Sequence, residues 1–363
     1  MNEAMNEAMK EAIQTAVIGV TGYAGAELAR ILLHHPCLKG KPPVFAGRLD
    51  AKDAARGGVP LHEIHPHLVD PNGSGNLKQE TFSWDLFAER GVDVLFLATP
   101  HEQSREWVPE ALARGLKVID LSGAWRLVDA SNRAIYSFAD DGTEKAAAIQ
   151  AQSVYGMPEL HRDEIKTARL IANPGCYATS VILPLKPLVA AGLVDLERGI
   201  VADSKSGVSG AGKSPTAKTH FMYAADNLSA YGVFTHRHTG ELLEQIGIGA
   251  DQIVFTPHLL PIPRGIMSTI YVHFKEPQTK ASVAKVYHDF FAPSPMVRLY
   301  DGSLPQIQYS VRTNYADIGF HLDKSGRRAV IVSCLDNLLK GAAGQAVQNL
   351  NVMMGWPEPE GLA

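Results

Sequence analysis

The segment "TAVIGVTGYAGAELARILLHHP" limits what this chain can fold into more than any other stretch. Thr15 to Val20 is a short, apolar, β-branched run, the pattern of a buried strand. Gly19, Gly22 and Gly25 follow as G-x-x-G-x-x-G, and Ala24 to Leu33 then carries helix formers with apolar residues at helical intervals until Pro36. Strand, glycine turn and helix in this order suit a dinucleotide-binding unit. Glycines let the backbone approach a pyrophosphate, and the free N–H groups of the helix N-terminus receive it. Gly19, Thr21, Gly22, Tyr23, Ala24 and Gly25 are the candidate cradle. The spacing departs from G-x-G-x-x-G, so a plain tight turn between strand and helix stays open as the other reading.

Two more strands are predicted at "VDVLFLATP" (Val92 to Pro100) and "LKVIDLS" (Leu116 to Ser122). The helical stretch between them contains Pro109, which belongs near a helix start or kinks the helix. Continuous apolar strands alternating with helices predict a Rossmann-type parallel sheet covered on both faces. Ligands bind such sheets at the carboxyl ends of the strands. Ala98, Thr99, Pro100, His101, Ser122 and, a little later, Arg126 fall at such ends. His101 reads equally as a nicotinamide-pocket residue or as a surface loop histidine. The strand candidate "PPVFAGRLDAKD" runs into Gly47-Arg48, with Asp50 only afterwards. An acidic residue at that strand end would hold a ribose 2′-OH, whereas arginine suits a 2′-phosphate. Arg48 is therefore the candidate 2′-phosphate contact, favouring NADP, against the reading of a solvated loop arginine.

A length of 363 residues exceeds one typical core, so two domains are expected. The predicted division is an N-terminal extension at 1–14, a dinucleotide-binding domain at 15–172, a catalytic and substrate domain at 173–335, and a C-terminal helix at 336–363 returning to the first domain. The second domain is expected to be α+β with a mostly antiparallel sheet. A net charge of -4 and a pI near 6.4 argue against nucleic-acid and anionic-membrane partners. No apolar run approaches the roughly twenty residues that cross a bilayer. The opening "MNEAMNEAMKEA" has no apolar core of a secretory signal and carries no assigned function. Three widely spaced cysteines, Cys37, Cys176 and Cys334, suggest a reduced cytoplasmic chain without a disulfide framework.

Cys176 stands out among the three. In "ANPGCYATS" it follows a Pro-Gly turn, and a helix can begin at about this residue, its later course kinked or shortened by Pro184 and Pro187. A helix N-terminus stabilises a thiolate, and the same N–H groups can hold an oxyanion. Cys37 at a helix end and Cys334 in "AVIVSCLDN" read as inert. A thiol nucleophile wants a base or proton donor, and "YGVFTHRHTGELLEQIG" supplies His236, Arg237 and His238. In an extended segment both imidazoles point to one side, and Thr239 can cap the following helix. A metal site on H-x-H would need further ligands that the neighbourhood lacks, so no metal is expected. "DSKSGVSGAGKSPT" reads as a phosphate cradle with Lys205 and Lys213, or as a surface loop. Pro263, Arg264 and Gly265 precede a half-buried antiparallel strand predicted at Ile266 to Phe274. Near the C-terminus, Gly341 to Gly344 are small residues that permit close helix packing.

These segments together resemble one family. "GVTGYAGAEL", "LATPHEQS", "VIDLSGAWRL", "YGMPEL", "ANPGCYAT", "SGVSGAGK", "HRHTGE", "FTPHLLPIPRG" and "DNLLKGAAGQAVQNLN" run in the order found in N-acetyl-γ-glutamyl-phosphate reductases of type 1, from about residue 15 to 353. That family lies in the aspartate-semialdehyde dehydrogenase and glyceraldehyde-3-phosphate dehydrogenase-like superfamily. Two departures are Lys213, where many members carry arginine, and Gly240, where proline is common. The resemblance implies an NADPH-dependent acyl-phosphate reductase of arginine biosynthesis with Cys176 as nucleophile and His236 and His238 as acid-base partners, His238 being favoured. It also implies dinucleotide contacts from Gly210, substrate contacts from Arg126, Asn173, Lys213, Arg237 and Arg264, a small acyl-phosphate substrate, and a homo-oligomer, dimer or tetramer. The competing expectations are an aspartate-semialdehyde dehydrogenase, a carrier-linked α-aminoadipyl-phosphate reductase, and an NADP-binding sensor without chemistry.

Overall fold

The computed structural model describes residues 13–38, 40–68 and 77–362, so most of the extension drawn at 1–14 lies outside the described residues. The chain divides into two compact units. One holds the chain through Arg126, Asp140–Asn173 and Ala343 onward; the other holds Leu127–Ala139 and Pro174–Ala342.

The first unit is built on β1 (Thr15–Ile18), β2 (Val44–Gly47), β3 (Val59–Pro60), β4 (Lys78–Thr81), β5 (Val94–Leu97), β6 (Lys117–Asp120), β7 (Ser153–Tyr155) and β8 (Leu170–Ala172). They form one sheet in the order β3-β4-β2-β1-β5-β6-β8-β7. All its pairings are parallel except that of β3 with β4. Every residue of β1, β2 and β5 is buried, as strands covered on both faces require. The chain runs outward from β1 through β2 to β4, then resumes on the other side of β1 at β5. The carboxyl ends of β1 and β5 therefore form the switch point at which such sheets bind ligands.

Helix α1 (Tyr23–His34) buries Gly25, Ala26, Leu28, Ala29, Ile31 and Leu32, the face its apolar spacing predicts. Helix α2 (His101–Ala113) continues past Pro109, which lies inside it instead of near its start. Trp107, Val108, Ala111 and Leu112 are buried around that proline and hold the helix in place. The C-terminal helix α7 (Gly344–Met353) is buried along its whole length. Its Asn349 donates to the Gly156 carbonyl, just before helix α3 (Pro158–Thr167), at 2.7 Å and to Asn173 Oδ1 at 3.0 Å, and Asn351 Oδ1 lies 2.9 Å from His35 Nε2. These bonds satisfy polar groups taken out of water and fix α7 against its own unit.

The second unit carries β9 (Ile200–Gly207), β10 (Ser229–Ala230), β11 (Ile253–Leu260), β12 (Ile266–His273), β13 (Val297–Tyr300), β14 (Ala316–Leu322) and β15 (Arg328–Leu335). Their order is β10-β11-β9-β12-β15-β14-β13. Only β9 with β11 and β13 with β14 pair in parallel, so the sheet is mixed and mostly antiparallel. Along β12 buried residues alternate with more exposed ones, as a half-buried strand should.

Helix α4 (Cys176–Ala190) lies on this sheet. It is neither shortened nor interrupted at its prolines: it runs fifteen residues with Pro184 and Pro187 inside. Each internal proline removes a helical bond at about 3 kcal/mol. Val181, Ile182, Leu183, Leu185 and Leu188 are all completely buried, and each such side chain contributes about 1.5–3 kcal/mol. Burial wins. Ser268 Oγ on β12 lies 2.7 Å from both Ser180 Oγ on α4 and Ser204 Oγ on β9, pinning helix to sheet. On helix α6 (Lys280–Phe291), Tyr287 donates its hydroxyl to the Pro184 carbonyl at 2.8 Å.

The segment Leu127–Ala139 joins this unit for a visible reason. Glu244, on helix α5 (Thr239–Ile246), accepts the N–H groups of Val128 and Asp129 and the amide of Asn132.

Candidate active site

At the switch point of the first unit, Gly19 has φ +98°, and a Cβ there would strike the Ala98 carbonyl, its carbon only 2.7 Å away. A Cβ on Gly25 would strike the Gly19 carbonyl oxygen and come within 2.8 Å of Val20 Cα. These two glycines close the turn. Gly22 is different: it is the N-cap of α1, and a Cβ there would meet nothing nearer than Gly19 O at 3.7 Å. No acidic residue occupies the first turn of α1, and Thr21 and Tyr23 are exposed beside it. At the end of β5 the Thr99 hydroxyl is buried without a hydrogen-bond partner. An open helix N-terminus beside an orphaned hydroxyl fits the pyrophosphate of a dinucleotide.

The other candidates of this unit divide. Arg48 is exposed directly after β2, while Asp50 caps a short helix by accepting the Asp53 N–H at 2.8 Å. Pro100 is the N-cap of α2, and His101 Nε2 lies 2.9 Å from Glu102. Ser122 turns its hydroxyl to Asp120 at 2.8 Å. Burial raises the Asp120 carboxyl above its ordinary range, against the bonds from Ser104 and Ser122. Arg126 is buried and donates to the Leu121 carbonyl at 2.7 Å. Asn173 is fully buried and takes the amide of Asn349, a scaffold contact.

In the second unit the sequence folds around Cys176. Gly175 is the N-cap of α4, with extended backbone, and Cys176 is its first helical residue, partly exposed. Two glycines make room for what surrounds it. A Cβ on Gly175 would overlap the His238 ring, with Cδ2 and Cε1 each 2.6 Å away. A Cβ on Gly341 would stand 2.7 Å from Cys176 Cβ. The small residues after Leu339 thus serve the cysteine as well as helix packing.

The histidines do not lie in an extended segment. Residues 233–235 and 237–238 are turns, and the two rings meet edge to face at 4.7 Å between centroids. The N-cap of α5 is His238, not Thr239, because the chain already has helical angles there (φ -76°, ψ -9°). The His238 N–H donates to His236 Nδ1 at 3.1 Å, so that nitrogen is an acceptor and the proton of a neutral ring is on Nε2. Burial, aided by the Arg237 guanidinium, pushes His236 down to about 4. His236 is neutral near pH 7 and orients its neighbour. His238 is the imidazole packed on the turn that carries the cysteine.

Tyr177 closes the far side, its ring packed against His236, His238 and Phe255, its hydroxyl donating to the His258 carbonyl at 2.6 Å. Tyr231 donates to the Tyr177 hydroxyl at 3.4 Å, and burial pushes its phenol up to about 12. The remaining cysteines are poor nucleophiles: burial raises Cys37 and pushes Cys334 up to about 12.

Of the cations, Lys213 and Arg237 are exposed, Arg237 lying 5.9 Å from the Tyr136 ring centre. Arg264 pairs at 3.0 Å with Asp336, which is fully buried. The Asp336 carbonyl accepts the Gly341 N–H at 2.9 Å, which ties that pair to the wall behind Cys176. Beside it, Asn337 accepts the Gly265 N–H at 2.7 Å and donates to Ser209 at 2.8 Å. Gly210 lies in the same Gly/Ser loop, whose Val208 and Ser209 N–H groups bond the Ile262 and Pro263 carbonyls. The sequence reading missed Glu241, Asp336 and Asn337. Glu241 is fully buried, its Oε2 accepting the Gly175 N–H at 2.9 Å and its Oε1 3.9 Å from His238 Nε2. Among the described residues, no group of three or more His, Cys, Asp or Glu side chains is arranged to hold a metal ion.

Residues 14–168 match the family described as "Semialdehyde dehydrogenase, NAD binding domain", and residues 176–337 the one described as "Semialdehyde dehydrogenase, dimerisation domain". The first unit is therefore a nicotinamide-dinucleotide-binding unit. Proteins named N-acetyl-gamma-glutamyl-phosphate reductase from Methanocaldococcus jannaschii and Pelotomaculum thermopropionicum are 40% and 41% identical to this chain. In both cases the match covers 96% of this chain and 97% of the relative. Among solved structures, aspartate semialdehyde dehydrogenase II from Vibrio cholerae aligns with a TM-score of 0.67 at 18% identity, over 95% of this chain and 99% of that one. An aspartate semialdehyde dehydrogenase from Candida albicans, solved with NADP, aligns with a TM-score of 0.66 at 14% identity, over 94% and 98%. At those identities the structures show the fold alone.

Proposed function

Since the chain belongs to the N-acetyl-γ-glutamyl-phosphate reductase family, we propose that its residues carry that reduction through a thioester on Cys176. The chain is an oxidoreductase of amino-acid biosynthesis. It converts N-acetyl-γ-glutamyl phosphate to N-acetylglutamate 5-semialdehyde with release of phosphate, in arginine biosynthesis. The observation that carries the residue assignment is the seat of Cys176 on the first turn of α4, with the His238 ring packed on Gly175.

The Cys176 thiolate attacks the acyl carbon. The carbonyl oxygen becomes an oxyanion that first-turn N–H groups of α4 can receive, and its collapse expels phosphate and leaves a thioester. A reduced nicotinamide dinucleotide held at the glycine turn of Gly19, Gly22 and Gly25 would supply the hydride that reduces such a thioester. His238 donates a proton to the resulting alkoxide and withdraws it as the C–S bond breaks, which frees the aldehyde and restores the thiolate. His236, neutral and bonded to the His238 backbone, keeps the ring oriented. Arg237, Lys213, Arg264 and Arg126 are the cations offered to phosphate and carboxylate, while Asn173, buried against Asn349, supports the chain before Cys176.

Gly19, Thr21, Gly22, Tyr23, Ala24, Gly25, Ala98, Pro100, Ser122 and Gly210 are the proposed dinucleotide contacts. NADP is the proposed form, Arg48 meeting its 2′-phosphate. Cytosolic residence and assembly into a homo-oligomer belong to the same reading. No helix among the described residues is long and apolar enough to cross a membrane.

The test is the reverse assay, phosphate-dependent reduction of NADP or NAD, with N-acetylglutamate semialdehyde and aspartate semialdehyde compared. Turnover of the first with NADP is expected. Turnover of aspartate semialdehyde alone, or without phosphate, contradicts the reading.

A further inference from the structure

Residues 310–313 form a tight turn closed twice onto the Ser310 carbonyl, by the Thr313 N–H at 3.1 Å and the Thr313 hydroxyl at 2.8 Å. Val311 has φ -61° and ψ 134°, and Arg312 has φ +67°. Those angles are those of a type II turn, whose third position calls for glycine or asparagine because a longer side chain is strained there. An arginine holds it instead. The neighbouring bonds enforce the shape: the Ser310 hydroxyl donates to fully buried Asp317 at 2.6 Å, and the Arg312 N–H donates to Asp336 Oδ2 at 2.7 Å. Glycine would make the same backbone bond with less strain. The arginine side chain gives the fold nothing in return. It is exposed, and among the described residues its guanidinium makes no hydrogen bond, ion pair or ring contact. By contrast Arg198, Arg298, Arg327 and Arg328 of the same unit each pair with a carboxylate.

The place of the turn gives that side chain a task. Asp336 Oδ2, which holds the Arg312 N–H, also lies 3.0 Å from the Arg264 guanidinium. The Asp336 carbonyl accepts the N–H of Gly341, the residue pressed against Cys176. A Cβ on Gly265, next to Arg264, would meet the side chains of Ile307 and Val311, so the turn packs on the chain that carries Arg264. Resting on the thiol reading above, we propose that Arg312 is a substrate-binding residue whose guanidinium receives an oxyanion of the acyl phosphate, its phosphoryl group or its carboxylate, in company with Arg264. Charge explains why a second arginine is needed. Arg264 is balanced by buried Asp336, so that pair alone offers an incoming anion little net attraction. No ion pair offsets Arg312 among the described residues. Its fork of N–H donors fits a carboxylate or a phosphate through two bonds at once. Strain that the surrounding bonds over-determine is a mark of functional positions, and a rigid turn reduces the freedom lost on binding.

The experiment compares wild type, Arg312→Gly and Arg312→Lys in the reverse reaction, which presents the two oxyanions separately, as inorganic phosphate and as the semialdehyde. Glycine relieves the turn and removes the charge. Arg312→Gly is therefore expected to unfold about 2 °C or more above wild type. Its KM for phosphate or for the semialdehyde rises by about tenfold or more, as loss of a charge-assisted bond requires, and the KM that rises names the oxyanion. KM for the dinucleotide stays within about twofold. Arg312→Lys, which keeps the charge, recovers part of the loss. Unchanged KM for both phosphate and semialdehyde overturns the proposal. So does a raised KM in an Arg312→Gly protein that unfolds below wild type, which marks a structural role. Calorimetric titration of wild type and Arg312→Gly with inorganic phosphate and with N-acetylglutamate reads the same contact without turnover. Weaker binding of one of them to the variant supports the role even if Cys176→Ser is active, a result that removes the thiol reading itself. Equal binding of both, where Cys176→Ser is inactive, removes only this inference.

Discussion

Two helix N-termini in this chain are opened by glycine, and they use the opening differently. At the start of α1, Gly19 and Gly25 are needed to close the turn, whereas a Cβ on Gly22 would meet nothing nearer than 3.7 Å. At the start of α4, glycine makes room for the protein's own groups: Gly175 for the His238 ring, with Gly341 letting the chain press on Cys176. On the proposed reading the first terminus receives an anion from outside. The second is furnished from within, with a carboxylate on the Gly175 N–H and a thiol on the next residue. The same backbone device thus serves binding in one unit and chemistry in the other, on the function proposed above.

The sharpest break of that comparison is Cys176→Ser. It should lower the rate by at least about a hundredfold while leaving dinucleotide affinity, measured by fluorescence titration, near wild type. Equal loss of both would mean the second terminus also serves binding.

Next in size is the contrast between glycines at the first terminus. Gly25→Ala should destabilise the protein by about 1–3 kcal/mol in urea titration, since its Cβ has no room. Gly22→Ala should stay within about 0.5 kcal/mol and instead raise KM for the dinucleotide. If both alanines cost the same stability, the turn is only packing.

A pH test of similar size concerns His236. Between its ordinary 6.5 and its folded value of about 4, the unfolded chain binds a proton that the folded chain refuses. Stability is therefore intact above this window and falls within it as pH drops, by about 3 kcal/mol in full. His236→Asn should flatten that part of the urea-midpoint profile, and an unchanged slope would contradict the burial argument.

The smallest expected effect is at Arg48. Replacing it with alanine should shift preference from NADP toward NAD by about tenfold, the loss of one charge-assisted bond. An unchanged ratio of kcat/KM would return Arg48 to the surface loop.

The comparison also explains what was legible in the sequence. The first terminus obeys local rules. A buried strand, glycines at fixed offsets and an amphipathic helix all lie within about twenty residues, and so β1, the turn and α1 could be read directly, as could the two-unit α/β and α+β fold. The second terminus depends on distance along the chain. Cys176 announced itself by its Pro-Gly turn, but Glu241 meets Gly175 from 66 residues away, and Asn337 meets Gly265 from 72. Locally, Glu241 is an ordinary first-turn glutamate, and Asp336-Asn337 simply follow the last strand. Pro184 and Pro187 misled for the same reason. Local propensity argues for a kinked or shortened helix, and the buried face of α4 and the sheet beneath it keep it fifteen residues long.

Covalent catalysis at the second terminus is tested most directly by trapping. Incubated with N-acetylglutamate semialdehyde and NADP without phosphate, the wild-type protein should gain one acyl group per chain, located by peptide mass spectrometry on Cys176 and discharged on adding phosphate. An unmodified Cys176 under turnover conditions, or an acyl group on any other residue, would contradict it.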